Sequence, residues 1–344
     1  MNSTLRGVCV GAGYFSHYQY EAWRRIPEVE IRAVCNRSWD KAAEIAGTYR
    51  IPSVYGIDDF RVMLRKERPD FVDIITPPST HLELCRVALE CEVNVICQKP
   101  LAPTYEETLR LAEMVQGSRV RFMVHENWRW QPWYREIKRL LGEGAIGDFF
   151  HSTTQTRMGD GWGDDAYLAR QPFFRDYPRL FLFETGVHFL DTWRFLFGEV
   201  ASIYARIARR NPVIQGEDCA LVVCEFVGGG TAILDANRYN ESEAENPRYT
   251  FGRLRIEGSR GHLELSDDGA MRVKPLGLPA AEHRYNPPRE GFAGDCVYAV
   301  QRHFVDCMRD GTPFESHIAD YLKSVRLVEA AYESAKRGQV LPLA

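Results

Sequence analysis

The first third of the chain alternates short apolar runs with stretches in which apolar residues recur every three or four positions. The apolar runs predict strands at residues 5–10, 29–35, 71–76, 94–97 and 120–124. The amphipathic stretches predict helices near residues 14–25, 39–49, 57–67, 80–90 and 105–115. Strands and helices that alternate in this way form a parallel sheet covered on both faces. Residues 1–124 are therefore predicted to be a doubly wound α/β domain.

After about residue 124 the pattern changes to strand-like runs separated by turn residues. These runs predict strands at residues 149–158, 200–208, 220–227, 231–237, 254–257 and 262–265. Glycines at 228–230 and at 258 and 261 separate two pairs of them and predict hairpins. Helices are predicted at residues 133–141, 184–197, 296–310 and 319–336, and surface loops at 240–248 and 276–291. Residues 125–344 should form an α+β domain with a large, mostly antiparallel sheet.

Composition narrows the class of protein. A length of 344 residues is typical of about two domains, and 45% hydrophobic with 26% charged residues is ordinary for a globular protein. A net charge of −4 gives no electrostatic reason to expect a nucleic acid or membrane partner. The chain is expected to enter its first strand without a signal peptide, and no apolar run is long enough to span a bilayer. Nine cysteines without a Cys-x-x-Cys pair indicate buried thiols in a reducing cytoplasm, with no disulfides and no metal site.

A glycine turn follows the first predicted strand. Gly11 and Gly13 lie between that strand and a helix, where two glycines allow a tight turn and close approach of a pyrophosphate to backbone amides. Ser16 stands where the dinucleotide-binding fingerprint has its third glycine, so the match is partial. The strand–turn–helix context predicts a nucleotide-binding Rossmann domain.

The end of the second strand bears on the choice of cofactor. An acidic residue there would bind the ribose 2′-hydroxyl of NAD and repel a 2′-phosphate, but this chain has Asn36. Arg37, Ser38 and Lys41 could accept the phosphate of NADP; alternatively, Asn36 binds the ribose and Arg37 stacks on adenine. One arginine beside a strand does not make a phosphate clamp, so the residues favour NAD and leave NADP open.

Lys99 comes directly after an apolar strand, in Gln98-Lys99-Pro100. By itself it would be an ordinary solvated loop lysine. Because open α/β sheets bind their ligands at the carboxyl ends of strands, the glycine turn upstream makes an acid/base or electrostatic role the better interpretation. The turn from Thr76 to His81 ends another core strand and could border the cofactor, although His81 could equally be a polar first-turn residue facing water.

A second cluster lies in a predicted helix. Glu184, His188 and Asp191 are spaced i, i+4, i+7 and would share one face among apolar neighbours. A carboxylate beside an imidazole suits a general base. We rank this acid/base interpretation of the three residues first, a structural hydrogen-bonded trio second and a metal site third, because hydride transfer assisted by a lysine needs no metal.

The ordered set of motifs resembles the glucose–fructose oxidoreductase / inositol dehydrogenase / MocA (Gfo/Idh/MocA) family of nicotinamide-dependent dehydrogenases. The motifs that carry the resemblance are Gly11–Gly13, Thr76–His81, Gln98–Ala102, Asn127–Pro132 and Glu184-x-Gly186-x-His188-x-x-Asp191. It spans almost the whole chain. It implies a Rossmann domain, a sheet domain used for homodimer or homotetramer formation, and Lys99 and His188 beside the nicotinamide. Two departures stand out: Gln98 replaces the usual glutamate before the lysine, and Glu184 replaces the usual aspartate before the histidine.

These observations define the expected site. The predicted catalytic residues are Lys99, His188 and Glu184. The predicted cofactor-binding residues are Gly11, Gly13, Tyr14, Phe15, Asn36, Arg37, Thr76, Pro78, His81, Gln98, Lys99 and Asn127. The predicted substrate-binding residues are Lys99, Asn127, Arg129, Trp162, Glu184 and His188. Trp162 belongs to an aromatic, polar loop at residues 159–167 that suits a sugar but could equally be a surface loop with buried aromatics. Asn127 and Arg129 could instead form a structural hinge, with Arg129 bound to a carboxylate between domains.

The expected function is an NAD(P)-dependent dehydrogenase that oxidises a sugar or polyol, such as a short or branched aldose, by hydride transfer to nicotinamide. His188 would take the hydroxyl proton and Lys99 would stabilise the developing alkoxide. Two alternatives are a non-catalytic nucleotide sensor, against which the joint presence of Lys99, Glu184 and His188 argues, and a non-redox enzyme that uses NAD transiently for glycoside cleavage or epimerisation.

Overall fold

The strands of the first unit form one parallel sheet in a computed structural model that describes residues 4–343. Its elements are β1 (Leu5–Val10), α1 (Ser16–Arg24), β2 (Val29–Asn36), α2 (Trp39–Tyr49), β3 (Ser53–Gly56), α3 (Phe60–Glu67), β4 (Phe71–Ile74), α4 (His81–Glu90), β5 (Asn94–Gln98), α5 (Tyr105–Gln116) and β6 (Phe122–His125). The six strands follow the order β3-β2-β1-β4-β5-β6. This is the doubly wound order of a dinucleotide-binding domain, so the predicted fold is confirmed.

Local sequence explains these boundaries. The buried residues of the central strands β1, β4 and β5 are apolar apart from Asp73 of β4, as a parallel sheet covered on both faces requires. Ser38 caps α2 by accepting from the Lys41 amide, and Thr104 caps α5 by accepting from the Glu107 amide at 3.2 Å. The short strand β3 was not predicted, because its residues are only half-buried.

The second unit is built on a sheet of nine strands. Its elements are α6 (Pro132–Gly142), β7 (Phe149–Arg157), α7 (Val187–Phe197), β8 (Val200–Ala208), β9 (Cys219–Phe226), β10 (Thr231–Asn237), β11 (Arg253–Gly258), β12 (Gly261–Leu265), β13 (Met271–Pro275), β14 (Ala281–His283) and β15 (Leu341–Pro342). The strand order is β14-β13-β12-β11-β7-β10-β9-β8-β15. Within the nine-stranded sheet, as far as the described residues form it, only the β7–β10 pair is parallel, so the predicted mostly antiparallel sheet is confirmed.

Two predictions of local structure in this unit need correction. The predicted loop at residues 276–291 contains β14, whose exposed, polar residues give no apolar alternation. The predicted helix at 184–197 begins differently, because residues Phe181–Gly186 form a π-helical turn and α7 starts at Val187.

The two compact units do not divide the chain at a single point. The first contains residues 1–127 and 297–323, and the second contains residues 128–296 and 324–344. Helices α8 (Cys296–Asp310) and α9 (Ile318–Arg337) supply the later segments. Phe304 of α8 packs on Phe71 of β4 at a ring distance of 5.1 Å, and Arg302 pairs with Glu28 at 2.6 Å. The domain boundary predicted between residues 124 and 125 leaves out this return of the chain to the first unit.

Residues 1–3, on which the expected start without a signal peptide partly depends, lie outside the described residues. Among residues 4–343, no helix is long and apolar enough to cross a membrane. Cysteine side chains in this part of the chain are buried or half-buried and form no disulfide.

Candidate active site

The glycine turn lies between β1 and α1 and has the geometry of a phosphate-binding loop. Gly11 has a φ of +124°, and a Cβ there would lie 2.6 Å from the carbonyl oxygen of Ile75, so only glycine fits. A Cβ at Gly13 would meet nothing within 4 Å, which leaves space above the turn. The Ser16 hydroxyl donates to the Gly13 carbonyl at 2.7 Å, and the first turn of α1 carries no acidic residue. These residues fit the pyrophosphate of a dinucleotide.

The end of β2 has its polar groups engaged locally. The Asn36 amide donates to the Ser38 carbonyl at 3.0 Å, and the Ser38 hydroxyl accepts from the Lys41 amide. Arg37 is exposed, and Asp40 lies in the first turn of α2. Ser38 is thus used as a helix cap, with an acidic residue close beside it.

His81 connects two turns of the first unit. The side chain is fully buried, with Nε2 2.7 Å from the Thr76 carbonyl and Nδ1 3.2 Å from the Leu101 carbonyl. Burial lowers the pKa of His81 to about 4, so the ring is neutral near pH 7. The buried ring of His81 thus supports the Thr76 turn from inside the protein. The alternative, that His81 is a polar first-turn residue facing water, is wrong.

Lys99 follows β5 and is half-buried. Its backbone amide donates to the Gln98 side-chain oxygen at 2.8 Å, so the two residues are joined through the backbone. The Lys99–Pro100 peptide bond is cis.

Asn127 follows β6 and is only 3% exposed. Its side-chain amide nitrogen has no acceptor among residues 4–343. A buried donor without an acceptor is costly unless a ligand supplies one, which is consistent with the predicted role of Asn127 at a binding site.

One edge of the parallel sheet collects these groups. Gly11, Asn36, Thr76, Lys99 and Asn127 follow or end β1, β2, β4, β5 and β6. Parallel strands end at the same edge, and that edge is where such sheets bind ligands. The structure therefore brings the residues predicted from the first unit to one edge of its sheet.

In the second unit, His188 lies in α7 and stacks on Trp128, with ring centroids 4.5 Å apart and parallel planes. One turn further along, Asp191 accepts two hydrogen bonds from Arg129, at 2.8 and 2.7 Å. The Asp191 side chain is fully buried and that of Arg129 is 6% exposed. The guanidinium of Arg129 thus binds a carboxylate, as in the structural alternative, but this carboxylate belongs to the same unit as Arg129.

Glu184 lies in the π-helical turn and belongs to a charged network. Its carboxylate accepts from the Thr185 hydroxyl at 2.7 Å and lies 3.3 Å from Arg238, which is buried. Arg238 also donates to both oxygens of Asp160. Burial acts to raise the pKa of Asp160, but Arg238, Arg170 and Arg248 outweigh burial and lower it.

The loop that carries Trp162 is fixed through its backbone. The buried Asn211 amide donates to the carbonyls of Gly161 and Gly163 at 2.7 and 2.9 Å, and the Gly161 amide donates to the Arg238 carbonyl. Trp162 itself is 52% exposed. A fixed loop with an exposed aromatic side chain is suited to contact a ligand.

Sequence reasoning missed several residues of these networks. Arg238, Asn211 and Gln19 gave no signal, because their partners are distant in the chain. Asp73 did give one, since it is the only charged residue in the apolar run from Phe71 to Ile75. Among residues 4–343, no group of three or more His, Cys, Asp or Glu side chains could hold a metal ion.

Comparisons with known proteins agree with this architecture. Residues 5–126 match the oxidoreductase family model with an NAD-binding Rossmann fold, GFO_IDH_MocA, and residues 134–264 match the GFO/IDH/MocA C-terminal domain. The chain is 32% identical to D-apiose dehydrogenase of Paraburkholderia graminis, over 98% of this chain and 90% of that protein. It is also 32% identical to D-apiose dehydrogenase of Rhizobium rhizogenes, over 100% of this chain and 99% of that protein.

A solved structure extends the similarity to three dimensions. A crystal structure of an Agrobacterium radiobacter oxidoreductase in complex with NAD+, L-tartaric acid and magnesium is 29% identical and superposes with a TM-score of 0.90, covering 99% of this chain and 98% of that one.

The fold and the matches define a nicotinamide-dependent oxidoreductase that acts on CH–OH groups. The chain belongs to the Gfo/Idh/MocA family, as the sequence motifs predicted. Its first unit is an NAD-binding Rossmann domain.

Proposed function

We propose that this chain is an NAD-dependent aldose dehydrogenase whose preferred substrate is D-apiose, a short branched sugar. One observation carries dehydrogenation: Lys99 follows β5 at the sheet edge where the glycine turn follows β1. The choice of sugar is supported by the names of two relatives that match over nearly their whole length.

Bound NAD would supply the hydride acceptor. Gly11 and Gly13 would hold its pyrophosphate, and Thr76 and Asn127 would border its nicotinamide half. The local engagement of Ser38 and the position of Asp40 support NAD over NADP.

The acid/base chemistry is assigned to side chains of this chain. An imidazole nitrogen of His188 would accept the proton of the sugar hydroxyl as the adjoining carbon loses hydride. The Lys99 Nζ would stabilise the negative charge that develops on that oxygen. Glu184 would supply a negative charge near the His188 ring, and Arg238 would hold the Glu184 carboxylate in place. Trp162 and Asn127 would contact the sugar.

The proposed assembly is a homodimer or homotetramer formed through the open face of the nine-stranded sheet. Leu221 of β9 is 41% exposed and shares its face with the half-buried Val223 and with Tyr204 of the neighbouring strand β8, and apolar side chains at such positions suit contact with a second copy. Light scattering on the purified protein would report a monomer if this assembly does not form.

A spectrophotometric screen tests the function. Purified protein is mixed with NAD or NADP and a panel of D-apiose, pentoses, hexoses and inositols, and the absorbance of reduced nicotinamide is followed. We expect the highest kcat/KM with D-apiose and NAD. Conversion of a sugar without net cofactor reduction would favour the transient-redox alternative, and binding of NAD without turnover of any sugar would favour a sensor.

A further inference from the structure

Asp73 is a carboxylate in the core of the Rossmann sheet. It lies in β4, between the apolar neighbours Val72 and Ile74, and its exposure is zero. Gln19 Nε2 donates to its two oxygens at 3.0 and 2.9 Å, and Trp23 Nε1 donates to one of them at 2.7 Å. Burying a charge is costly unless it is fully hydrogen-bonded, so these donors are needed to retain it.

From Asp73 a hydrogen-bonded chain runs to the lysine. Gln19 uses its amide nitrogen on Asp73 and accepts with its oxygen from Gln98 Nε2 at 3.0 Å. Gln98 in turn accepts with its oxygen from the Lys99 backbone amide at 2.8 Å. Gln19 is fully buried and Gln98 is half-buried.

The direction of this chain is fixed at the Asp73 end. An ionised carboxylate only accepts hydrogen bonds, so the nitrogen of Gln19 must face Asp73 and its oxygen must face Gln98. The Gln98 nitrogen must then face Gln19, which leaves the Gln98 oxygen for Lys99. Reversing any one amide would bring two acceptors or two donors together.

We propose that Asp73 and Gln19 are positioning residues that act through Gln98 on Lys99, and that the glutamine at position 98 is required by the buried carboxylate at position 73. This deepens the proposed function, since it concerns how the proposed catalytic lysine is held. It also accounts for the departure at position 98 noted from the sequence. An ionised glutamate there would have no donor for the Gln19 oxygen, so the chain could not be satisfied while Asp73 is also charged.

The protonation state of Asp73 controls the direction of this hydrogen-bonded chain. The negative charge of Asp73 interacts with three ionisable side chains, Cys9 of β1, Tyr20 of α1 and Cys97 of β5. Burial raises the pKa of each of them well above its ordinary value. These three are therefore neutral near pH 7. Burial also raises the pKa of Asp73 to about 7, against the lowering by Trp23 and Gln19. Above that pH Asp73 is an acceptor only, and below it the carboxyl can donate to Gln19.

A double-mutant cycle tests the coupling without relying on catalysis. Urea unfolding is measured at pH 8 for the full-length protein and for Gln98→Glu, Asp73→Asn and the double variant. Gln98→Glu alone should raise the unfolding constant about tenfold, because a buried acceptor loses its donor. In the Asp73→Asn background the same change should raise the unfolding constant by less than about threefold. The carboxamide introduced at position 73 can donate to Gln19, so that every hydrogen bond of the series can reverse its direction.

Measurements of turnover and of the pH dependence of stability distinguish a positioning role of Asp73 from a merely structural one. At pH 8, Gln98→Glu should lower kcat about tenfold with KM little changed, and Asp73→Asn should restore kcat in the double variant. The stability defect of the single variant should shrink between pH 8 and pH 6, as Asp73 gains a proton. The pH comparison needs no change in the core, so it remains informative if Asp73→Asn does not fold.

Asp70→Asn is the matched control, because it removes a charge from a partly exposed aspartate just before β4. Equal cost of Gln98→Glu with and without Asp73→Asn, equal rescue by Asp70→Asn, or a defect independent of pH would each overturn the inference. If coupling is found but Lys99→Met retains turnover, the hydrogen-bonded chain stands and the proposed role of Lys99 fails.

Discussion

The ion pair between Arg129 and Asp191 distinguishes a structural from a substrate-binding role for Arg129. Both side chains are buried and joined by two hydrogen bonds of 2.8 and 2.7 Å. Arg129→Met would leave the Asp191 carboxylate with the Ser324 hydroxyl at 2.8 Å and with Arg194 at 3.9 Å. Breaking a buried pair from one side costs about 3–5 kcal/mol. Because those two groups remain, we expect the low end of that range.

The assay is thermal and urea unfolding of the full-length protein, with steady-state kinetics on the folded variant. A loss of about 3 kcal/mol should lower the Tm by roughly 6–12 °C for a unit of this size. Arg139→Met is the control, since Arg139 forms exposed pairs with Glu136 and Glu143 that contribute little. If Arg129→Met unfolds like the control and instead raises KM for the sugar, Arg129 binds substrate and the structural assignment is wrong.

The remaining predictions concern pH and cofactor choice. His81→Gln should flatten the fall in stability of the protein from pH 6.5 to about 4, because the folded pKa lies near 4 and the unfolded chain binds the proton first as pH falls; an unchanged pH–stability curve would contradict this. Activity should rise with pH and be strongly impaired in His188→Asn, and Glu184→Gln should move that rise to lower pH, since loss of a nearby negative charge favours the neutral ring; an identical pH–rate profile would count against the pairing. NAD should be preferred over NADP, and a kcat/KM ratio favouring NADP by more than about a hundredfold, or ~2.7 kcal/mol, would show that Arg37 belongs to a phosphate site.

Much of the fold could be predicted because each unit has its own periodicity. Continuous apolar runs gave the core strands, and β1, α2, β8, β10 and α8 have their predicted limits. The elements that were missed are short or exposed, such as β3 and β14, where little apolar surface is buried and the pattern is weak. The π-helical turn at Phe181–Gly186 was also missed, because such turns are rare and occur mostly as single turns within α-helices.

The site was predictable where function depends on local geometry. The glycine turn and Lys99 follow strands of a parallel sheet, so their sequence positions alone place them at one edge. Partners that are distant in sequence were not predictable. Asp191, which was predicted on the same helix face as His188, is bound by Arg129, and Glu184 is bound by Arg238, which no motif indicated.

The central claim is that Lys99 acts on the transition state of sugar oxidation by NAD. Lys99→Met should lower kcat with D-apiose by about 10²–10⁴-fold, because the charge that stabilises the developing alkoxide is lost. The Kd for NAD, measured by fluorescence titration, should change little. A variant that keeps near-normal kcat, or one whose lost activity follows entirely from weaker NAD binding, would contradict the account.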